Sequence, residues 1–281
     1  MPKQKLFGTT SIGSWITLGH PAIAEIMAET GFDWLTVDLE HSTITIREAE
    51  DLIRVIELKG IVPLVRLTSN SSEQIKRVMD AGAHGVVVPM VCSGHDARAA
   101  VEAIRYPPIG KRGVGLARAQ GYGRSFETYR SWQENEAIVV VQVEHIDAVN
   151  NLEEILTTDG VDAYIVGPYD LSGSMGIPGE FEDPKFIEAM NRIRATAERL
   201  KVPGGVHLIE PNPAELVRLI EQGNKFIAYS LDIRMIDVSC RTGLAEIEKV
   251  CKCRRSQLFQ PGWGLRDFQG SHWQKSVEFL W

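Results

Sequence analysis

A few polar residues stand where the surrounding sequence is apolar, and their types bound the chemistry open to this chain. The run Ala137 to His145 reads Ala-Ile-Val-Val-Val-Gln-Val-Glu-His, β-branched until it turns polar at its end. That is the pattern of a parallel strand buried on both faces. Gln142 and Glu144, two apart, then point to one side of it. A carboxylate so placed is costly to desolvate, so Glu144 is expected to be paired, to lie at a solvated mouth, or to ligate a metal. Asp170, in Gly167-Pro168-Tyr169-Asp170, follows the next predicted strand, so the two carboxylates can converge on one cation. All-oxygen ligation suits Mg2+, Mn2+ or a similar ion and leaves positions for water and substrate. The alternative is that Glu144 pairs with Arg66 while Asp170 only caps the turn at Gly167-Pro168.

His41, in Asp38-Leu39-Glu40-His41, has the chemistry of a general base near neutral pH, or is a solvated loop histidine. Arg66, in the third predicted strand, suits a carboxylate or an oxyanion, or a buried ion pair. Arg112, among Gly110, Gly113 and Gly115, either reaches a substrate or belongs to a flexible surface loop. The only strand-associated lysines, Lys201 and Lys225, sit at strand beginnings, which disfavours a covalent imine. Gly204 and Gly205 come too early in the seventh strand to form a phosphate site.

These residues are positioned by a regular alternation. Strands are expected at 11–16, 33–38, 62–67, 85–90, 137–144, 163–167, 203–208 and 225–230, each followed by helical spacing or a cap signal. Ser71 with Gln74 forms a capping-box pattern, Asp183-Pro184 and Asn212-Pro213 pair an N-cap with a first-turn proline, and Asp147 is expected to cap the helix after strand five. Eight such units point to an α/β fold, a (β/α)8 TIM barrel, with the polar residues on the rim formed by the strand C-termini. The beat pauses between Tyr106 and Glu136, a connection long enough to be functional or disordered.

The 281 residues can bury one barrel-sized domain, placed at 1–251, followed by an irregular tail, 252–281, read as a linker or appended extension. A formal charge of -7 argues against a general nucleic-acid binder. No apolar run reaches membrane-spanning length and the start lacks the apolar core of a signal peptide, so a cytoplasmic protein with no membrane partner is expected. The four cysteines, Cys92, Cys240, Cys251 and Cys253, have neither zinc nor disulfide-framework spacing.

From about Gly13 to Val250 the chain resembles the HpcH/HpaI family of metal-dependent pyruvate aldolases. Four stretches carry the likeness: Gly31-Phe32-Asp33-Trp34 through Asp38-Leu39-Glu40-His41; Lys76 through Asp80-Ala81-Gly82-Ala83 to Val88-Pro89-Met90-Val91; Arg105-Tyr106-Pro107-Pro108 through Arg112-Gly113; and Gln142-Val143-Glu144 with Gly167-Pro168-Tyr169-Asp170-Leu171-Ser172. The resemblance implies a divalent ion (Mg2+, Mn2+ or Co2+) held by Glu144 and Asp170, His41 as catalytic base, and Arg66 against the enolate. It implies that Gln142 and the backbone around Tyr169 and Asp170 hold a 2-oxo acid, and that Asp80 tunes the histidine, from a position that requires a subunit contact. It further implies a homo-oligomer, a hexamer of dimers that exchange their last helix, roughly 233–250. The activity so implied is class II cleavage of a 4-hydroxy-2-oxo acid to pyruvate and an aldehyde. Oxaloacetate decarboxylation, a macrophomate-synthase-like bond-forming reaction, and a non-catalytic barrel scaffold are the alternatives. Ser42-Thr43-Ile44 and His145 depart from many members, and the loop from Arg112 to Tyr122 is expected to shape the aldehyde pocket.

Overall fold

Eight parallel strands pair in chain order and close on themselves in the computed structural model, which describes residues 1–251. The strands are β1 (Ser11–Ile16), β2 (Trp34–Asp38), β3 (Val62–Arg66), β4 (Gly85–Val88), β5 (Ile138–Val143), β6 (Ala163–Val166), β7 (Gly204–Leu208) and β8 (Phe226–Leu231). Around them run α2 (Pro21–Ala28), α3 (Ile46–Leu58), α4 (Ser72–Asp80), α5 (Gly94–Ile104), α7 (Ile146–Asn150), α8 (Leu152–Leu156), α10 (Pro184–Leu200) and α11 (Pro213–Glu221). Three further helices lie outside the simple alternation before the chain reaches its last one: α1 (Pro2–Phe7), α6 (Phe126–Glu136) and α9 (Pro168–Ser174). The last is α12 (Asp232–Cys251). This is the expected (β/α)8 barrel, and the expected tail lies outside the described residues. Among those residues no helix is long and apolar enough to cross a membrane.

Apolar side chains fill two layers. The larger lies between strands and helices, where β5 contributes Val139, Val141 and Val143. The smaller is the barrel interior, where Trp34 stacks on Phe226 with ring centroids 4.3 Å apart. Room for that indole comes from Gly13 on the adjacent strand, since a Cβ there would lie 2.0 Å from the Trp34 ring. At the N-terminal end of the barrel, α1 buries Leu6 in the same interior cluster and is tied down by Lys3 on Asp162 at 2.6 Å.

Local chemistry explains most helix starts. Ser93 accepts from the Asp96 N–H, Asp183 from Lys185, and Asn212 from Ala214 and Glu215. The box expected at Ser71 is half formed: Ser71 Oγ accepts from the Gln74 N–H, but the Gln74 side chain turns to the Thr68 N–H at 2.8 Å. Asp147 is not the cap of the helix after β5; His145 is, its Nδ1 accepting from the Asp147 N–H at 3.1 Å.

The long connection before β5 is ordered, and it is at the other end of the barrel from the rim. It leaves the C-terminus of α5 and enters the N-terminus of β5, so topology places it below the strands. Arg112 there is neither substrate-reaching nor flexible. Its side chain is buried between the rings of Tyr106 and Tyr129, 4.8 and 5.5 Å from their centroids, and donates to Tyr129 Oη at 3.0 Å and to Asp80. Within one chain, therefore, the Arg112 to Tyr122 loop does not shape a pocket at the rim.

Candidate active site

At the C-terminal end of the strands the apolar runs give way to a cavity of about 290 Å³. His41, Arg66, Gln142, Tyr169 and Asp170 line it, together with Trp15, Asp38, Gly167 and His207. No lysine is among its lining residues, as the argument against an imine requires.

One wall is built by register. Asp38 and Arg66 end β2 and β3 as direct partners, and the guanidinium meets the carboxylate with two bonds, Nε to Oδ1 at 2.9 Å and Nη2 to Oδ2 at 2.6 Å. Burial pushes the Asp38 carboxyl up, but the bonds and charge of Arg66 and the N–H groups of Glu40 and His41 outweigh it and hold the group below its usual range. Those N–H groups, 2.9 and 3.3 Å from Asp38 Oδ1, also turn the loop that carries His41. The His41 ring is largely exposed, with Nε2 3.9 Å from Glu40 Oε2. Arg66 Nη1 lies 3.3 Å from the same Glu40 oxygen, and Cζ sits 4.3 Å over the Trp15 ring. Arg66 is thus fixed by three residues, and its charged partners are Asp38 and Glu40 rather than Glu144.

Two strands on from Arg66, the end of β5 adds further acid. Glu144 is buried just past the end of β5, and its Oε1 accepts from the Met90 N–H at 2.7 Å while Oε2 accepts from Gln142 Nε2. Burial above all raises its carboxyl to about 7; Glu40 and Asp170 push the same way, against the bonds from Met90 and Gln142. Glu40 is raised too, by burial first and then by Asp38 and Asp170 against Arg66. Asp170 opens α9 at the solvent edge, near enough to be felt by both. Gly167 makes the approach possible, since a Cβ there would lie 3.1 Å from Glu144 Oε2 and 3.3 Å from Gln142 Nε2.

Crowded, partly buried carboxylates that raise one another's proton affinity are what a hard cation relieves, so the residues fit a divalent ion. One orphaned polar atom points the same way: Gln142 Oε1 is buried without a hydrogen-bond donor, whereas Glu40 Oε2 has the charge of Arg66 beside it. Among the described residues no group of three or more His, Cys, Asp or Glu side chains is arranged to hold an ion, so two protein carboxylates would leave positions for smaller oxygen ligands.

Five of the sequence-derived candidates, His41, Arg66, Gln142, Tyr169 and Asp170, thereby line one space, and Glu144 adjoins it through its bond from Gln142. Asp80 does neither. It ends α4, at the N-terminal face of the barrel, and pairs with Arg112 in the same chain. Missing from the sequence-derived set were Asp38, Trp15 and His207. The signal for Asp38 was its place at the end of the strand next to that of Arg66; Trp15 and His207 carried none beyond lying in β1 and β7.

With the geometry in place, comparison with known proteins is informative. A model of the HpcH/HpaI aldolase/citrate lyase family matches residues 11–236. A hydroxypyruvate/pyruvate aldolase of Sagittula stellata is 38% identical over 240 residues, 85% of this chain and 94% of that protein. A 2-keto-3-deoxy-L-rhamnonate aldolase of Klebsiella pneumoniae is 38% identical over 233 residues, 81% of this chain and 85% of its own length. Among solved structures, an HpcH/HpaI aldolase/citrate lyase family protein of Burkholderia cenocepacia superposes with a TM-score of 0.82 at 32% identity, covering 88% of this chain and 98% of the other.

Proposed function

This chain belongs to the HpcH/HpaI aldolase/citrate lyase family, and from that membership we propose that it cleaves a 4-hydroxy-2-oxo acid to pyruvate and an aldehyde in the cytoplasm. The observation that carries the reading is a fixed cation and a cluster of acids at one end of the barrel: Arg66 locked by Asp38, and, two strands on, the buried Glu144, whose carboxyl is lifted to about 7.

Glu144 and Asp170 would hold a divalent ion, Mg2+, Mn2+ or Co2+. Bound there, such an ion supplies positive charge opposite the oxyanion that develops on the 2-oxo acid. Arg66 adds a second, preorganised charge at that oxygen, an effect typically worth about 3 kcal/mol per donor. Gln142, whose amide donates to Glu144, would hold the acid together with the backbone around Tyr169 and Asp170, all three lining the cavity. His41 takes the proton of the C4 hydroxyl. The C3–C4 bond then breaks, its electron pair passes to C3 as the enolate, and C4 departs with its oxygen, now a carbonyl, as the aldehyde. Protonation at C3 completes pyruvate.

The working unit is a homo-hexamer of dimers that exchange α12. Support comes from how that helix stands: Asp232 ties its root to β1 through the Thr17 and Leu18 N–H groups, while Ile236, Leu244 and Ile247 remain about half exposed along it. In such an assembly Asp80 and the apolar loop residues Val114 and Leu116, both exposed, would meet a neighbouring rim.

The test is pyruvate release, followed by coupled reduction, from a panel of 4-hydroxy-2-oxo acids before and after chelation. Pyruvate that appears with Mg2+ or Mn2+, stops on chelation and returns on readdition is the expected result. Pyruvate that survives chelation overturns the metal-dependent reading, and turnover of oxaloacetate alone would make decarboxylation the activity.

A further inference from the structure

A second cavity, of about 580 Å³, opens toward the other end of the barrel, between the beginnings of β6 and β7 and the helix α10 that joins them. Glycine explains the space. β7 starts with Gly204 and Gly205, and in the parallel register Gly204 is the partner of Tyr164. A Cβ at Gly204 would fall 2.1 Å from the Tyr164 ring, so the missing side chain lets that ring lie across the strand. Around it the walls are Val166, Met190, Ile193, Val202 and Val206. The volume suits a small organic molecule, and of these lining residues only Val166 is shared with the cavity at the rim.

The apolar walls carry a charged border. Arg194, Lys201 and Lys225 line the cavity against Glu198 and Asp162, and Asp162 is already met by Lys3 at 2.6 Å. The local excess is positive, on a chain whose formal charge is -7. Lys201 ends α10 at φ 59, a left-handed position where glycine is the default, so a charged side chain stands where the backbone favours none. Tyr164 adds a donor. Its ring is buried, and its hydroxyl has no hydrogen-bond partner among the described residues. Burial pushes that phenol up to about 12, with Arg194 drawing it back, so it keeps its proton at ordinary pH. Both α10 and α11 reach this border with their C-terminal ends, whose carbonyls disfavour a multiply charged anion.

From this we infer that the cavity between β6, β7 and α10 is a second binding site, for an amphipathic monocarboxylate: an apolar chain or ring that ends in one carboxylate. The tail lies among the valines, Met190 and Ile193, and the head is met by the Tyr164 hydroxyl and the three cations. A phosphate ester would call for the N–H groups of a helix start, and here the helices end. A neutral ligand leaves the cations without a partner, and an amine is repelled by them. The inference does not rest on the proposed aldolase reading, since the site has its own walls and its own charge.

The experiment is calorimetric titration of the full chain with 4-phenylbutyrate, and with 4-phenyl-1-butanol and 4-phenylbutylamine as neutral and cationic probes of the same skeleton, each with and without excess pyruvate. The expected result is one 4-phenylbutyrate per chain, bound equally well with pyruvate present, with the alcohol about tenfold weaker and the amine not bound. Tyr164→Phe keeps the ring and removes the hydroxyl, and it weakens 4-phenylbutyrate by about threefold to tenfold. Lys201→Gly suits the left-handed backbone, so it preserves stability in urea while removing the charge; combined with Lys225→Glu it weakens binding by about tenfold. Three results overturn the inference: no binding of 4-phenylbutyrate at about 10 mM, binding that pyruvate abolishes, or an affinity unchanged in both Tyr164→Phe and the lysine double variant. Equal affinity for the alcohol also overturns it, because the cations would then select nothing.

Discussion

Gly167→Ala tests whether the acid wall is a shaped cradle or a loose collection of charges. The backbone at Gly167 is extended, with φ -100 and ψ 92, so alanine adds no conformational strain. What it adds is a Cβ at 3.1 Å from Glu144 Cβ and Oε2, and 3.3 Å from Gln142 Nε2. Comfortable carbon contacts begin near about 3.5 Å, so the Glu144 carboxylate must retreat by roughly 0.4 Å. Metal–oxygen distances tolerate about 0.2 Å, and the displaced carboxylate is already held by Met90 and Gln142. The expected outcome is a fall in Mn2+ affinity of roughly 10- to 100-fold, with a loss of global stability of only about 1–2 kcal/mol. Calorimetric titration with Mn2+ reads the first and urea denaturation the second. Gly173→Ala is the control, on the same helix with nothing within 4 Å of its added Cβ. Unchanged Mn2+ affinity in Gly167→Ala, or an equal loss in Gly173→Ala, would refute the idea that Gly167 spaces the acid wall.

Other perturbations follow from the same contacts. Asp38→Ala leaves the buried Arg66 without its bidentate partner and is expected to cost about 3–5 kcal/mol in urea denaturation, whereas a cost below about 1 kcal/mol would mean that Glu40 takes over the pairing. Arg112→Lys keeps the charge on Asp80 but loses the stacked guanidinium plane between Tyr106 and Tyr129, for an expected loss of about 1–3 kcal/mol by the same measurement; no loss would show the stacking to be idle. Glu57 is held at about 2, by the His84 hydrogen bond first and by Arg118, against burial. Its folded value lies below its unfolded one, so its contribution is present above about pH 4.5 and fades as pH falls toward 2. The stability difference between the native chain and Glu57→Gln should therefore shrink below about pH 4, and a difference that is flat with pH would contradict the assignment.

Much of the fold was legible because its cause is local. A strand buried on both faces cannot avoid a β-branched apolar run, and Ile138–Val143 reads as one without any knowledge of its neighbours. Caps such as Asn212 and Asp183 announced themselves by residue type. Glu144, Arg66 and Gln142 were readable as candidate site residues because polar groups at the ends of buried strands need a reason to be there. Asp38 was harder, since its role depends on facing Arg66 across two strands, a fact of register. His207 was harder still: it lines the cavity by stacking on Trp15, a fact of packing that no residue pattern signals. Helix α1 is too short to show a period, and His145 caps with a ring nitrogen where the expected cap was a carboxylate. The position of the Arg112 loop was available and misread, for a connection from helix to strand in a barrel lies at the N-terminal end by topology alone.

The central claim is that Glu144 and Asp170 together hold one divalent ion, and equilibrium binding of Mn2+ followed by electron paramagnetic resonance tests it most directly. The account predicts one ion per chain, with affinity lost in Glu144→Gln and in Asp170→Asn and no site remaining in the double variant. An unmodified chain that binds no Mn2+, or a double variant that binds it as before, would contradict it.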